Sequence, residues 1–178
     1  TPMKIIIASA GIGGLAAALS LEAAGFRDIV VAERSPELLP LGVGLNLLPH
    51  AVRELTELGV ADRVAELGVE PNSLSYYNRH GQLIWSEPRG RAAGYAWPQL
   101  SVHRGRLQML LRDLVTERLG DVIRLGHRLV AVDGTQDGAT SATARFALPD
   151  GAKATIAGDL VIGADGIRSA LRAQFAPG

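Results

Sequence analysis

Residues 4–34 read KIIIASAGIGGLAAALSLEAAGFRDIVVAER, and this stretch decides the fold. The β-branched run 5–7 has no polar face, which is typical of a parallel strand that is covered on both sides. The small residues 9–14 predict a tight turn, and the alanine-rich segment after them predicts a helix that stops at Gly25. A second apolar run follows at 29–32. The stretch therefore predicts a strand, a turn, a helix and a second strand.

This order of elements is that of the first βαβ unit of a dinucleotide-binding fold. In such units the amides and the positive dipole end of the helix face a pyrophosphate, and glycines let it approach. A carboxylate at the end of the second strand accepts hydrogen bonds from ribose hydroxyls, and Glu33 stands at that position. A glycine-rich turn that binds no ligand is the structural alternative.

The glycine pattern G-x-G-x-x-G fits this turn in one of two registers. The register that starts at the strand end has a serine at its first position and reads Ser9, Gly11, Gly14. A register two residues later satisfies G-x-G-x-x-A, but it puts the turn deeper than the end of the isoleucine strand suggests. We adopt the first register, so Ser9 replaces the first glycine. If the turn needs positive φ at Ser9, the cost is of order 1 kcal/mol.

Composition limits the classes of function. The 178 residues suffice for one domain with a substantial core. With 18 basic and 18 acidic residues, the chain shows no electrostatic footprint for nucleic acid or an anionic membrane. No apolar run approaches the ~20 residues of a membrane helix and no signal peptide is evident, so we expect a soluble, cytoplasmic protein. The absence of cysteine excludes disulfides and thiolate metal sites, and we predict no metal site.

The middle of the chain combines loops, short helices and a hairpin. Residues 35–48 are too interrupted by proline and glycine for a regular element, and they form either an ordinary surface loop or a loop that lies against a flat ring. Helices are predicted from Pro49 and over 61–67. Residues 74–78 and 82–86 predict a β-hairpin. Its neighbourhood is rich in aromatic residues that either line a pocket for a flat ring or pack across strands, namely Tyr76, Tyr77, Trp85 and Trp97.

An amphipathic helix follows, and Arg104 stands at its N-terminal edge. The core face of this helix is marked by leucines, and Gly120 closes it. Arg104 shares the positive end of the helix dipole and gains nothing from it, so a phosphate or carboxylate partner explains this arginine better than capping does. A solvated arginine is the alternative.

The last third of the chain is mainly β. Short strands at 122–125, 129–132, 142–148 and 152–157 predict a small antiparallel meander inserted between parallel strands. The segment DLVIGADGIRSALR then predicts a buried strand that runs into Asp165 and Gly166, with a helix from about Ile167. The Asp165 carboxylate either points into the ligand crevice or caps that helix. The predicted fold class is α/β, with a Rossmann-like parallel sheet, a small antiparallel β-meander and a hairpin insertion.

Five segments carry a resemblance to a known family: GIGGLAAALSLEAAG, ER, GVGLNLLPHAVRELTELG, HRGRLQMLL and DLVIGADGIRSALR. In this order and at these spacings they resemble the FAD-dependent aromatic hydroxylases of the para-hydroxybenzoate hydroxylase type. WSEPRG and HRGRLQ further resemble the phenazine hydroxylase branch. The resemblance covers the chain from Lys4 to about Arg172.

The resemblance implies a set of residues that bind FAD. The turn from Ser9 to Gly14 would hold the pyrophosphate, and Glu33, followed by Arg34, would bind the adenosine ribose. Arg104 would meet the phosphate and ribityl region, and Leu129 would meet the adenine through its backbone. The cofactor-binding residues implied in this way are Ser9, Gly11, Ile12, Gly13, Gly14, Glu33, Arg34, Arg104 and Leu129, with Gly42, Val43 and Gly44 near the isoalloxazine and Asp165 and Gly166 in a motif shared by FAD and NAD(P)H.

The resemblance also implies a reaction. In the family, NAD(P)H reduces the flavin, O2 adds at the flavin C4a atom, and the resulting hydroperoxide hydroxylates a small aromatic substrate. No catalytic residue is identified. Family members are roughly twice as long, so we expect 3–178 to be an incomplete FAD-binding domain in which 70–100 begins the substrate-facing region. The isolated chain is then expected to be inactive and to self-associate through apolar surface left exposed.

Two other functions are compatible with the first βαβ unit. One is a flavin- or nucleotide-binding module without catalysis. The other is an NAD-dependent dehydrogenase domain, because Glu33 also suits the ribose of NAD. The dehydrogenase is disfavoured, since no Tyr-x-x-x-Lys pair or comparable hydride-transfer site is evident.

Overall fold

The computed structural model describes residues 3–134 and 138–176. The chain divides into two compact units. The first unit contains the described residues of Thr1–Leu39 and Leu111–Gly178, and the second contains Pro40–Leu110. Along the chain, the described elements are β1 (Ile5–Ala8), α1 (Ile12–Ala23), β2 (Ile29–Ala32), β3 (Gly44–Leu47), α2 (Pro49–Glu57), α3 (Ala61–Ala65), β4 (Gly68–Val69), β5 (Ser73–Tyr77), β6 (Leu83–Pro88), a 3-10 turn (Gly90–Ala93), β7 (Leu100–His103), α4 (Arg104–Leu119), β8 (Ile123–Arg124), β9 (Arg128–Asp133), β10 (Ala142–Ala147), β11 (Lys153–Gly158), β12 (Leu160–Gly163), a second 3-10 turn (Gly166–Arg168) and α5 (Ala170–Phe175).

The first unit is built on a parallel sheet with the strand order β12-β1-β2-β8. All four residues of β1 are buried, and β1 pairs in parallel with both β2 and β12. The sheet confirms the sequence prediction, because a central parallel strand needs apolar side chains on both faces. The prediction that the strand before Asp165 is buried is wrong, because β12 is an edge strand of the described sheet and its four residues are exposed or half-buried. Helix α1 packs against β1 and β2 and buries Leu15, Ala18 and Leu19.

A second sheet of the first unit is antiparallel, with the order β11-β10-β9. It is the predicted meander. The strand predicted at 122–125 does not belong to this meander. It is β8, which joins the parallel sheet beside β2. The Val31 amide donates to the Val122 carbonyl at 2.9 Å, and the Glu33 amide donates to the Arg124 carbonyl at 2.8 Å. Apolar residues of both sheets form one buried cluster that contains Ile6, Ala8, Ala32, Leu129, Val132, Ala144 and Phe146.

The second unit contains a three-stranded antiparallel sheet, β3-β7-β4, and the hairpin β5-β6. The prediction that 35–48 lacks a regular element is wrong for Gly44–Leu47, which pairs with Leu100–His103. Pairing with a distant strand and burial of Leu47 stabilise this strand in spite of its glycine. The hairpin is confirmed, and Tyr76 packs across it on Trp85 with ring centroids 5.8 Å apart.

Two helix ends differ from the predictions. Helix α3 stops at Ala65, two residues earlier than predicted. The helix predicted from Ile167 begins at Ala170 instead, after a 3-10 turn, because the Ser169 hydroxyl accepts a hydrogen bond from the Arg172 amide at 2.9 Å and caps it there. Among the helices of the described residues, none has the length and apolar character needed to cross a membrane.

Candidate functional site

The turn after β1 has the geometry that the first glycine register requires. Ser9 adopts a φ of +97°, a conformation that residues with a Cβ rarely adopt. A Cβ added at Gly14 would lie 1.9 Å from the Ser9 carbonyl oxygen, so only glycine fits there. In the register Ser9, Gly11, Gly14, the first position requires a positive φ. The last position requires a residue without a Cβ, because the backbone comes close there. The geometry therefore favours that register over the later one.

The N-terminus of α1 is open. Gly11 is the N-cap residue and supplies no side-chain cap. The first-turn amides of a helix have no intrahelical acceptor, so those of Ile12, Gly13 and Gly14 are donors for a ligand. Gly13 is exposed, and a Cβ added to it would meet nothing within 4 Å. This helix end can accept a phosphate through its amides and its dipole.

Glu33 lies at the end of β2 and is only 5% exposed. Its Oε2 atom accepts hydrogen bonds from the Ala10 amide at 2.8 Å and from the Ser9 hydroxyl at 3.2 Å. Its Oε1 atom accepts a hydrogen bond from the Ser35 amide at 2.9 Å. A buried carboxylate is tolerated only when donors satisfy it, and here the donors come from the turn and from the chain after β2. The structure thus brings Glu33 against the turn at Ser9.

Asp165 and Gly166 follow β12, which is parallel to β1, so they lie at the same carboxyl edge of the sheet as the turn. The Asp165 Oδ2 atom accepts a hydrogen bond from the Ala170 amide at 2.7 Å. Its Oδ1 atom is buried and has no hydrogen-bond partner among residues 3–134 and 138–176. Asp165 therefore does bond the start of α5, as the capping alternative predicts, but this bond uses one oxygen. The second oxygen is left as an acceptor for a further donor.

The loop residues predicted near the isoalloxazine lie in the second unit together with Arg104. The Arg104 amide donates to the Val43 carbonyl at 3.0 Å. Gly42 has a φ of +142°, and a Cβ added there would lie 3.1 Å from the Arg104 Cβ. Gly44 pairs with His103 in the sheet. Within this unit the structure brings Gly42, Val43, Gly44 and the exposed Arg104 together.

Two predicted residues have different surroundings. Arg34 is exposed directly after Glu33. The Leu129 side chain belongs to the buried apolar cluster and is not available for the predicted adenine contact, and the residue pairs with Phe146 in the antiparallel sheet.

His127 is a neighbour of the site that the sequence did not reveal. Its amide donates to the Glu33 carbonyl at 2.7 Å, and the Gly126 amide donates to the Ser35 carbonyl at 2.9 Å. The His127 ring meets Phe146 edge-on with centroids 5.6 Å apart. Gly126, with a φ of +68°, is the signal that could have indicated a turn here. Residues 126 and 127 thus hold the backbone of Glu33 and Ser35 in place through these two hydrogen bonds.

The first unit therefore combines an open helix N-terminus, a buried carboxylate beside it and a second carboxylate at the same sheet edge. Over residues 2–176 the chain matches the FAD binding domain family. The chain belongs to this family. Membership in the FAD binding domain family confirms the predicted cofactor, FAD, and the Rossmann-like fold class.

The chain is similar in sequence to one hydroxylase and in fold to two solved structures. The chain is 42% identical over 178 residues to the phenazine 1,6-dicarboxylic acid hydroxylase PhzS of Lysobacter antibioticus, and the match covers 99% of this chain and 44% of PhzS. The p-nitrophenol 4-monooxygenase PnpA of Pseudomonas putida DLL-E4 has the same fold, with a TM-score of 0.85, 23% identity and coverage of 98% of this chain and 43% of PnpA. HpxO of Klebsiella pneumoniae, solved with FAD, gives a TM-score of 0.77 at 30% identity over 97% of this chain and 42% of HpxO.

The family match and the similarity to PhzS confirm the resemblance to FAD-dependent aromatic hydroxylases and to their phenazine hydroxylase branch. The chain spans less than half the length of these relatives. The residues present fit FAD. The open amides of α1 suit a pyrophosphate, Glu33 suits a ribose, and the Asp165 Oδ1 atom lacks a donor within the described part of the chain.

Proposed function

We propose that this chain supplies the FAD-binding domain of a flavin-dependent monooxygenase that hydroxylates a small aromatic substrate with NAD(P)H and O2. The observation that carries the proposal is the pairing of the α1 N-terminus with the buried Glu33 carboxylate at one edge of the parallel sheet. A pyrophosphate and a ribose lie next to each other in a dinucleotide, so a site with both groups suits one. The similarity to PhzS supports the choice of an aromatic substrate.

Each residue of the site has a defined task in this proposal. The amides of Ile12, Gly13 and Gly14 hold the pyrophosphate, and Glu33 holds the adenosine ribose. When bound, FAD supplies the redox chemistry, which is reduction by NAD(P)H, reaction with O2 and transfer of one oxygen atom to an electron-rich ring. The protein binds and orients the cofactor. Asp165 and Gly166 are proposed to bind FAD as well, and Arg104 is proposed as an FAD-binding residue of the second unit.

The affinities for FAD and NAD distinguish the proposed monooxygenase domain from a dehydrogenase domain. Calorimetric titration of the 178-residue chain with FAD, NAD and riboflavin measures the three affinities under one set of conditions. We expect FAD to bind more tightly than NAD, and riboflavin, which lacks the pyrophosphate and the adenosine, to bind more weakly than FAD. Tight binding of NAD without binding of FAD would contradict the proposal and favour the dehydrogenase.

The same titration of a Glu33→Gln variant tests whether Glu33 belongs to the FAD site. The amide keeps the size of the side chain but puts an NH2 group where a carboxylate oxygen accepts hydrogen bonds. We expect FAD to bind about tenfold more weakly, the magnitude of one hydrogen bond to a charged group. Glu37→Gln is the matched control, because Glu37 is an exposed glutamate four residues away. Equal FAD affinity of the Glu33 and Glu37 variants would remove Glu33 from the site.

Hydroxylation is proposed for the longer protein, and we expect the 178-residue chain alone to bind FAD without turnover.

We also propose that the isolated chain self-associates through the β5-β6 hairpin. Leu83, Ile84 and Trp85 are 58%, 67% and 47% exposed, and they are consecutive. Large apolar side chains exposed on one strand favour association. The NAD(P)H step is tested separately, by following flavin absorbance after NADH or NADPH is added to the longer protein.

A further inference from the structure

We propose that the Ser9 hydroxyl limits Glu33 to one hydrogen bond with the adenosine ribose, which makes Ser9 a specificity-determining residue of the cofactor site. This inference rests on the proposed function. The inference is about which ribose hydroxyl forms a hydrogen bond with Glu33. It follows from the serine that replaces the first glycine of the turn.

The Ser9 hydroxyl bridges the phosphate turn and the ribose carboxylate. Its Oγ atom accepts a hydrogen bond from the Gly11 amide at 3.2 Å and donates its one proton to Glu33 Oε2 at 3.2 Å. A hydroxyl has one proton, so the donor capacity of Ser9 is fully used by Glu33. Glycine at this position has no atom that could form either bond.

Counting lone pairs on the Glu33 carboxylate shows what this bridge leaves for a ligand. The two oxygens offer about four acceptor sites. Oε2 uses two of them, for the Ala10 amide and the Ser9 hydroxyl, and Oε1 uses one, for the Ser35 amide. Within residues 3–134 and 138–176, these donors leave a single site on Oε1. With glycine at position 9, Oε2 would keep a second site, and the 2′ and 3′ hydroxyls of one ribose could both be bound.

The count predicts an asymmetric response to removal of ribose hydroxyls. In the wild-type chain, one hydroxyl donates to Oε1 and the other has no acceptor on Glu33. Removal of the first should weaken binding about tenfold or more, which is typical of a hydrogen bond to a charged acceptor, and removal of the second should change affinity by less than about twofold. Variants without the Ser9 hydroxyl should lose affinity with either removal.

The test uses ADP, 2′-deoxy-ADP and 3′-deoxy-ADP as competitors for bound FAD, followed by flavin fluorescence. Wild type, Ser9→Gly and Ser9→Ala are compared, and circular dichroism verifies their folding. For the wild type we expect one deoxy nucleotide to compete like ADP and the other to compete about tenfold less well. For both variants we expect both deoxy nucleotides to compete less well than ADP.

The two variants separate the hydroxyl from the backbone. Ser9→Gly removes the hydroxyl and relieves the positive φ, whereas Ser9→Ala removes the hydroxyl and keeps the Cβ at that φ. Altered selectivity in Ser9→Gly alone would assign the effect to the backbone and overturn the inference. Equal penalties for both deoxy nucleotides in the wild type would also overturn it. Failure of FAD to bind the wild type would overturn the proposed function as well, and unchanged selectivity with normal FAD binding would overturn only the inference.

Discussion

Replacement of Gly14 by alanine tests the turn geometry on which the site depends. The new Cβ would lie 1.9 Å from the Ser9 carbonyl oxygen, 3.0 Å from the Ser9 carbonyl carbon and 3.4 Å from Ile7 Cγ2. Real Cβ atoms essentially never approach a heavy atom more closely than 3.0 Å. The nearest two atoms are backbone, so the turn itself has to shift by about 1 Å.

The shift should lower stability strongly because it also disturbs the bonds to Glu33. Overpacking in a well-packed region costs about 1–3 kcal/mol, and each disturbed hydrogen bond adds about 1 kcal/mol. We expect Gly14→Ala to lose about 3 kcal/mol, which for a chain of this size lowers the Tm by about 6–12 °C. Urea and thermal unfolding followed by circular dichroism measure both quantities without any cofactor.

Gly13→Ala is the matched control for Gly14→Ala. A Cβ at Gly13 meets nothing within 4 Å, and alanine is favoured over glycine in a helix by about 1 kcal/mol. We expect unchanged or slightly higher stability, with weaker FAD binding because the new methyl group stands at the open amides. A Gly14→Ala variant as stable as the wild type would refute the turn geometry. Unchanged FAD affinity in Gly13→Ala would refute the placement of the pyrophosphate.

Three further predictions concern other parts of the chain. Arg104→Ala should weaken FAD binding about tenfold, and Arg106→Ala, an exposed arginine on the same helix, should change it by less than about twofold; equal effects of the two substitutions in calorimetry would count against Arg104. Gln174→Ala should lower the free energy of unfolding by about 1–2 kcal/mol, because its side-chain amide bonds both the amide (2.9 Å) and the carbonyl (2.7 Å) of Val132 at the edge of β9; normal protection of the Val132 amide in hydrogen exchange would contradict this. Ile84→Lys should shift size-exclusion profiles toward the monomer at high concentration, whereas a wild-type chain that is monomeric at all concentrations would disprove self-association.

The parallel sheet could be predicted because its information is local. Ile5 to Ala8 are apolar at every position, and a strand that is buried on both faces requires this. The strand Leu160–Gly163 is also apolar in sequence and pairs with β1, but it lies at the sheet edge and is exposed or half-buried. Small residues between β1 and α1 complete a unit that needs no distant partner to be identified.

The sheet of the second unit was missed because its information is not local. Gly44–Leu47 is short, begins with glycine and follows two prolines, so its composition is that of a loop. It becomes a strand through pairing with Leu100–His103, more than fifty residues away. Gly68–Val69 joins the same strand with only two residues. Such short strands carry no alternation that a sequence pattern could detect.

The candidate site divides in the same way. The sequence pattern predicts that Glu33 lies at the end of the second strand and that a serine at position 9 costs energy, because both follow from spacing along the chain. The hydrogen bond from Ser9 to Glu33 spans 24 residues and could not be predicted. The segment 126–127, which bonds the backbone after β2, was missed for the same reason.

The structure also explains why a serine is tolerated at a φ of +97°. The strained conformation costs of order 1 kcal/mol. The hydroxyl offsets this with one hydrogen bond from the Gly11 amide and one to the Glu33 carboxylate, both 3.2 Å long and each worth about 1 kcal/mol. The sum favours the serine only as long as the Glu33 side chain is in place. Ser9 and Glu33 therefore depend on each other, because the carboxylate stabilises the strained residue and that residue holds the carboxylate beside the N-terminus of α1.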